Sequence, residues 1–293
     1  MSSVSFVCFG EILWDILPNE EVPGGAPMNV AYHLQQLGNT PVIITQVGAD
    51  KSGEELLRLL KEQQIDTRFV LTTTEYSTGL VNAIPQPNGD MQYTILQPVA
   101  WDYIQYDHEL VKAVKQAKYF IFGSLVARND VSSYTLLQLL QVANTKVLDI
   151  NLRAPHYTQE SITTLLQAAD ILKLNEDELI LITNWWSSFD SLEERTAYLY
   201  KTFSLQLIIV TKGADGAMVY DGEAFYYQGG IKVNVIDTIG SGDSFLAAFL
   251  NHYARGKTIP DALLFATKLG AFVASSKGAW PVYNPADLTV GDK

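Results

Sequence analysis

Short β-rich apolar runs recur at 5–9, 42–47, 119–122, 147–150, 171–174 and 207–210, and stretches with helical periodicity such as 54–63 and 136–143 separate them. This alternation restricts the chain to a mainly parallel sheet covered by helices, because parallel neighbours need a crossover and the crossover is usually a helix. Ligands of such sheets collect beyond the C-terminal strand ends. With 293 residues and 47% hydrophobic content the core can be large. No internal repeat, low-complexity stretch or linker divides the sequence, so one domain over residues 1–293 is the expectation.

The alternation breaks once. Between Thr78 and Asp102 two strand-like runs, 79–84 and 91–96, are joined through Pro85, Pro87 and an Asn88-Gly89 turn signal with no helix between them. That pattern is a hairpin. Together with the stretch at 14–23 it forms, on one reading, a small sheet lying over the ligand site as a lid; an edge hairpin on the main sheet fits the pattern equally. A small sheet of this kind has exposed strand edges and an apolar face, which predicts a symmetric homodimer joined through the lids.

The formal net charge is -12 and no Lys/Arg-rich run is present, which disfavours binding to a nucleic-acid backbone or an anionic membrane surface. Cys8, the single cysteine, excludes an intrachain disulfide and sits between Val7 and Phe9 as a packing residue in a reducing interior. Glu11 and Asp15 interrupt the first apolar run, and no later run approaches the length of a membrane span, so the expected location is the cytoplasm.

Near the C-terminal end Asp237-Thr238-Ile239-Gly240-Ser241-Gly242-Asp243 leads directly into an apolar helical pattern of Phe245, Leu246, Phe249, Leu250 and Tyr253 that stops at Gly256. Small residues at a helix start let backbone N–H groups converge, and unpaired first-turn amides together with the helix dipole attract an anion such as phosphate. A carboxylate would repel that anion, so Asp243 is read as a base that takes the proton of a hydroxyl attacking phosphorus. A dinucleotide fingerprint is excluded because Phe245 stands where its last glycine belongs. Gly256-Lys257-Thr258 is not a P-loop, since Asn251 replaces the first glycine and the triplet follows a helix. A structural helix cap with a tight glycine turn is the competing reading.

At the other end, Gly24-Gly25-Ala26-Pro27-Met28-Asn29 opens a helix that runs to Leu37 and stops at Gly38. An ionised Asp15 accepts hydroxyl hydrogen bonds, and the Asn29 amide both donates and accepts, so the pair suits a polyhydroxylated ligand. After the run at 147–150 come Asn151 and Arg153, the latter able to reach sugar hydroxyls or a phosphoryl oxygen, although a solvated arginine is the commoner case. Asn175 and Glu178 have capping-box spacing; arranging the water shell of Mg²⁺ is the second reading, and the two are compatible. Thr211-Lys212-Gly213-Ala214-Asp215-Gly216, followed by a short strand at 217–220 and an Asp221-Gly222 turn, offers backbone for a nucleotide or a plain turn.

In this order the pieces resemble the ribokinase-like (PfkB-type) carbohydrate kinase family, from Val4 to about Pro281, with Gly24–Asn29 as the N-terminal signature and Asp237–Asp243 as the C-terminal one. The resemblance implies a three-layer α/β/α domain with a mainly parallel central sheet and a small β-sheet lid, ATP as donor, Mg²⁺ as helper and an alcohol-bearing substrate. By position it implies Asp243 as base, the Gly240, Ser241 and Gly242 amides as anion hole, and Asp15, Gly25 and Asn29 on the sugar. Asn175 and Glu178 match an element tied to Mg²⁺ and phosphate, and Thr211, Gly213 and Gly216 line the nucleotide cleft. Asp237 corresponds to a residue beside a monovalent-cation (K⁺) site in several relatives.

Asp149-Ile150-Asn151-Leu152-Arg153, Ala100-Trp101-Asp102 and Phe122-Gly123-Ser124 resemble the fructokinase branch, with D-fructose as the implied substrate. Two departures stand out: Ala154 separates Arg153 from Pro155, and Trp14 occupies a position where smaller residues also occur. Ribose, 2-keto-3-deoxygluconate and nucleosides are the rival substrates. A catalytically silent sugar- or nucleotide-binding regulator is the rival of another class, against which the intact Gly240–Asp243 segment argues.

Overall fold

A computed structural model describes residues 5–18, 20–85 and 91–288. The first half of the chain runs β1 (Phe6–Phe9), β2 (Leu13–Leu17), β3 (Glu20–Gly24), α1 (Ala26–Gln36), β4 (Val42–Gly48), α2 (Lys51–Glu62), β5 (Asp66–Thr73), β6 (Gly79–Pro85), β7 (Met91–Ile95), α3 (His108–Gln116), β8 (Tyr119–Gly123) and α4 (Asp130–Leu140). The second runs β9 (Thr145–Asp149), α5 (Gln159–Ala168), β10 (Ile171–Asn175), α6 (Glu176–Thr183), α7 (Leu192–Phe203), β11 (Leu207–Thr211), β12 (Ala217–Tyr220), β13 (Phe225–Gln228), α8 (Ser241–Ala254) and α9 (Ile259–Ala274).

Alternation along β1 shows why three layers form. Phe6 and Cys8 pack with α1, α2, α8 and α9 on one face of the sheet, whereas Val7 and Phe9 pack with α3 to α7 on the other. Both faces of the strand are therefore buried, and a purely apolar run is what that requires. The nine-stranded sheet has the order β13-β12-β11-β10-β9-β8-β1-β4-β5, parallel from β11 to β5 and antiparallel at β12 and β13. Winding reverses at β1, with β4 and β5 on one side and β8 to β11 on the other, which opens a crevice at the strand ends.

The hairpin β6–β7 does not join an edge of this sheet. Together with β2 and β3 it forms a separate four-stranded sheet of order β3-β2-β6-β7, in which β2 and β6 are parallel and the other pairs antiparallel. The Asn88-Gly89 turn lies outside the described residues. Buried polar groups fix both ends of the hairpin segment. At its entry Asp50, the N-cap of α2, accepts from Thr78 N at 2.8 Å and Thr78 Oγ1 at 2.6 Å. At its exit the Arg128 guanidinium donates to Asp102 at 2.6 and 2.9 Å and lies 3.9 Å over the Trp101 ring. Trp101 and Asp102 are thus anchors of the fold. Cys8 is buried, as its neighbours implied. No helix among the described residues is long and apolar enough to cross a membrane.

Candidate active site

The C-terminal ends of β1, β9, β10 and β11 and the small sheet enclose a cavity of about 560 Å³. The small sheet contributes Leu13, Asp15, Val81 and Ile95 to its wall. Asp243, in the first turn of α8, lines the same cavity.

The start of α8 depends on Gly240, which has φ +74°; a Cβ there would stand 2.5 Å from the Ala279 Cβ. Ser241 is tied into the fold, its amide directed to Thr238 O at 3.2 Å and its hydroxyl to Gly270 O at 3.0 Å. Of the expected anion hole, then, Ser241 is the member already engaged. Among the described residues the amides of Gly240, Gly242 and Asp243 have no protein partner, as the start of a helix leaves them. Behind them lies a cation that the sequence reading did not single out. Lys173 Nζ donates to both Asp149 oxygens at 2.9 Å and would stand 3.1 Å from a Cβ on Gly242. Burial would depress the Lys173 ammonium, but Asp149 and Asp243 hold it above its ordinary value.

Asp243 is pushed up to about 6, chiefly by burial and then by the charge of Asp149, against the pull of Lys173, Asn29 and Arg153. Its Oδ2 accepts from Asn29 Nδ2 at 2.8 Å. Asn29 Oδ1 in turn accepts from Trp280 Nε1 at 2.9 Å. The sequence reading assigned Asn29 to the sugar; in the structure its carbonyl oxygen accepts from Trp280 and one N–H goes to Asp243, leaving one N–H and one lone pair for a ligand.

Gly25, the N-cap of α1, has φ +114°, and a Cβ there would meet Glu11 O at 2.4 Å. Only glycine lets α1 start this close to the end of β1. Asp15 on β2 is pushed up to about 6 by burial, with Asp237 and Asp243 adding to the shift and Arg153 opposing it. Glu11 was not singled out from sequence as a site residue, yet it lines the same cavity. It is 3% exposed, its Oε2 has no partner among the described residues, and burial pushes it up to about 7. Its signal in the sequence is a carboxylate two residues past the apolar strand β1.

After β9 the chain turns through Asn151 with φ +39°, a left-handed conformation that asparagine tolerates better than most residues. Arg153 is exposed, donates Nη1 to Leu152 O at 3.1 Å, and still draws down the carboxylates of Asp15 and Asp243 through its charge. Asn175 and Glu178 form a complete capping box on α6, each side chain accepting the other's amide at 2.8 Å. Glu178 Oε1 also accepts from Leu152 N at 2.7 Å, tying the Arg153 loop to α6.

Thr211 lines the cavity, whereas Gly213 and Gly216 lie in the short turn between β11 and β12, outside its lining. Asp237 accepts from Ile239 N at 2.9 Å and Gly278 N at 3.1 Å, bracing the approach to α8. Among the described residues no group of three or more His, Cys, Asp or Glu side chains could hold a metal ion directly.

Known proteins similar to this chain are carbohydrate kinases. A probable fructokinase-7 of Arabidopsis thaliana is 29% identical over 317 residues, covering 98% of this chain and 91% of that protein. A fructokinase of Xylella fastidiosa with bound ATP superposes with a TM-score of 0.85 at 22% identity, covering 97% of each chain. A fructokinase of Vibrio cholerae O395 bound to fructose, ADP and calcium ion gives 0.85 at 24% identity, covering 98% of each. The family model described as pfkB family carbohydrate kinase matches residues 10–286. The chain belongs to the pfkB family of carbohydrate kinases.

Proposed function

We propose that the protein transfers the terminal phosphoryl group of ATP to D-fructose, giving fructose 6-phosphate. The observation that carries this reading is the placement of the Asp243 carboxylate beside unpartnered helix-start amides, in one cavity with Asp15. The fructokinase names of its relatives supply the sugar.

On this reading Asp15, the Gly25 backbone, Asn151 and Arg153 hold the sugar with one hydroxyl at Asp243. The ionised Asp243 accepts that hydroxyl's proton as the oxygen attacks phosphorus. Charge developing on the transferred group is met by the Gly240, Gly242 and Asp243 amides, with Lys173 behind them. Ser241 supports that turn, and Thr211 borders the nucleotide, with Gly213 and Gly216 shaping the loop beyond it. Mg²⁺, arranged through water by Asn175 and Glu178, would neutralise the ATP phosphates. A monovalent cation near Asp237, a cytoplasmic location and a homodimer joined through the lid belong to the same proposal.

The test is an ATP-consumption screen with Mg²⁺ over fructose, ribose, 2-keto-3-deoxygluconate, other sugar acids and nucleosides. Fructose should give the highest kcat/KM. Preference for another member reassigns the substrate, and ATP turnover with none of them favours a silent regulator.

A further inference from the structure

Asn29, Tyr32 and His33 are spaced i, i+3 and i+4 on α1, so they share one face of the helix, and all of them bind the loop that follows α9. Tyr32 stacks on Trp280 with ring centroids 4.7 Å apart and planes within 2°, and its hydroxyl reaches Trp280 O and Pro281 O at 3.3 and 3.1 Å. His33 Nε2 lies 2.9 Å from Ala279 O and Nδ1 3.0 Å from the Tyr283 hydroxyl. Burial lowers His33 to about 4, so the ring is neutral near pH 7, with Nε2–H donating to the carbonyl and Nδ1 accepting from Tyr283. The same loop supports Gly240 through Ala279. The loop therefore meets the start of α8 directly at Gly240 and reaches Asp243 through Asn29.

The two ends of an asparagine amide have nearly the same shape, and what decides which one faces a neighbour is the hydrogen-bond network. The indole N–H of Trp280 is a donor only, so it must meet the carbonyl oxygen of Asn29. That leaves the amide N–H₂ facing Asp243. We infer that Trp280 is a positioning residue for the catalytic base: through Asn29 it holds a donor, not an acceptor, against the Asp243 carboxylate. The inference rests on the reading of Asp243 as base. The other charged or titratable groups facing Asp243 are Glu11 after β1, Asp15 on β2, Asp149 on β9, Arg153 beyond it and Lys173 on β10. A carboxylate among so many others depends on each donor it has.

Trp280→Phe keeps an aromatic ring against Tyr32 and removes the N–H. The Asn29 amide can then turn its carbonyl toward Asp243, which disfavours the ionised form. The acid limb of the kcat/KM profile should move up by about one pH unit, the order of a lost hydrogen bond to a carboxylate, with KM for ATP unchanged. Tyr32→Phe loosens the same loop without touching the indole N–H; it should lower the melting temperature and leave the acid limb in place. In the unaltered protein the indole N–H resonance of Trp280 should titrate together with the acid limb, a readout that holds even if Trp280→Phe does not fold. An acid limb unmoved by Trp280→Phe, an equal shift in Tyr32→Phe, or an indole resonance indifferent to pH across the limb would overturn the inference. Full activity of Asp243→Asn would instead remove the base assignment, independently of Trp280.

Discussion

Lys173 Nζ sits 2.9 Å from each carboxylate oxygen of Asp149, and the pair is buried directly behind Gly242 at the start of α8. β9 and β10 are parallel neighbours with Asp149 and Lys173 in register, so the sheet itself delivers the cation to the start of α8. Lys173→Met leaves the Asp149 carboxylate buried without its partner and should destabilise the protein by ~3–5 kcal/mol. Lys173→Met combined with Asp149→Leu should recover much of that stability but not the activity. Thermal melts and turnover of both variants check this; recovery of activity in the double variant would show that the ammonium serves the fold alone.

The proposed mechanism requires Asp243 ionised, and burial raises it to about 6, above the ordinary carboxylate value of 3.8. Activity should therefore fall as pH drops through about 6. Stability has the opposite sign. A carboxyl whose folded pKa is raised destabilises the fold above that pKa, and the penalty fades as pH falls toward the unfolded value. Asp243→Asn should then melt higher than the unaltered protein at pH 8, with the difference disappearing toward pH 4. Equal melting temperatures at pH 8 would mean that Asp243 carries no such strain.

Asp15 and Asp243 share the cavity but are assigned to different tasks. Asp15→Ala would leave sugar hydroxyls without their acceptor, weakening sugar binding by about 1–3 kcal/mol while KM for ATP stays constant. A rise confined to the KM for ATP would reverse the two ends of the site.

The parallel sheet was legible because β1, β8 and β11 are unbroken apolar runs, and the hairpin because two runs flank a turn signal with no helix between. β5 and β13 were not anticipated. β5 is an edge strand that mixes Asp66, Thr67 and Arg68 with apolar residues, and β13, Phe225–Gln228, is a short, partly exposed edge strand that folds back antiparallel on β12 after the Asp221-Gly222 turn. The reverse also occurs: Ile231, Val233 and Val235 alternate like a strand but are exposed in an irregular stretch, and the neighbouring Ile236 donates its amide to Ala274 O at 2.9 Å instead of joining a sheet. In the site, Asp243, Asp15 and Arg153 could be read from local motifs. The Asp243–Asn29–Trp280 chain could not, since its links span 214 and 251 positions of sequence and carry no local pattern. Lys173 was hidden because a charged residue within an apolar strand reads as an interruption until its partner is known.

The small sheet walls the cavity with Val81 and Ile95, and its supporting segment is fixed at Thr78 and Asp102. Closure over sugar would exclude water from the phosphoryl transfer, and a second copy would cover the sheet's outer edge. Light scattering at micromolar concentration should give a dimer, and hydrogen exchange of residues 78–102 should slow on adding fructose. A monomer whose hairpin amides ignore the sugar would remove both the lid and the dimer.

The central claim is that Asp243 takes the proton from the attacking hydroxyl. Asp243→Asn retains the size of the side chain and the start of α8 while removing the proton acceptor, so steady-state kinetics with ATP and fructose test it most directly. The account predicts a fall in kcat of ~10²–10⁴ with little change in the binding of either substrate. Turnover at the level of the unaltered enzyme would contradict it.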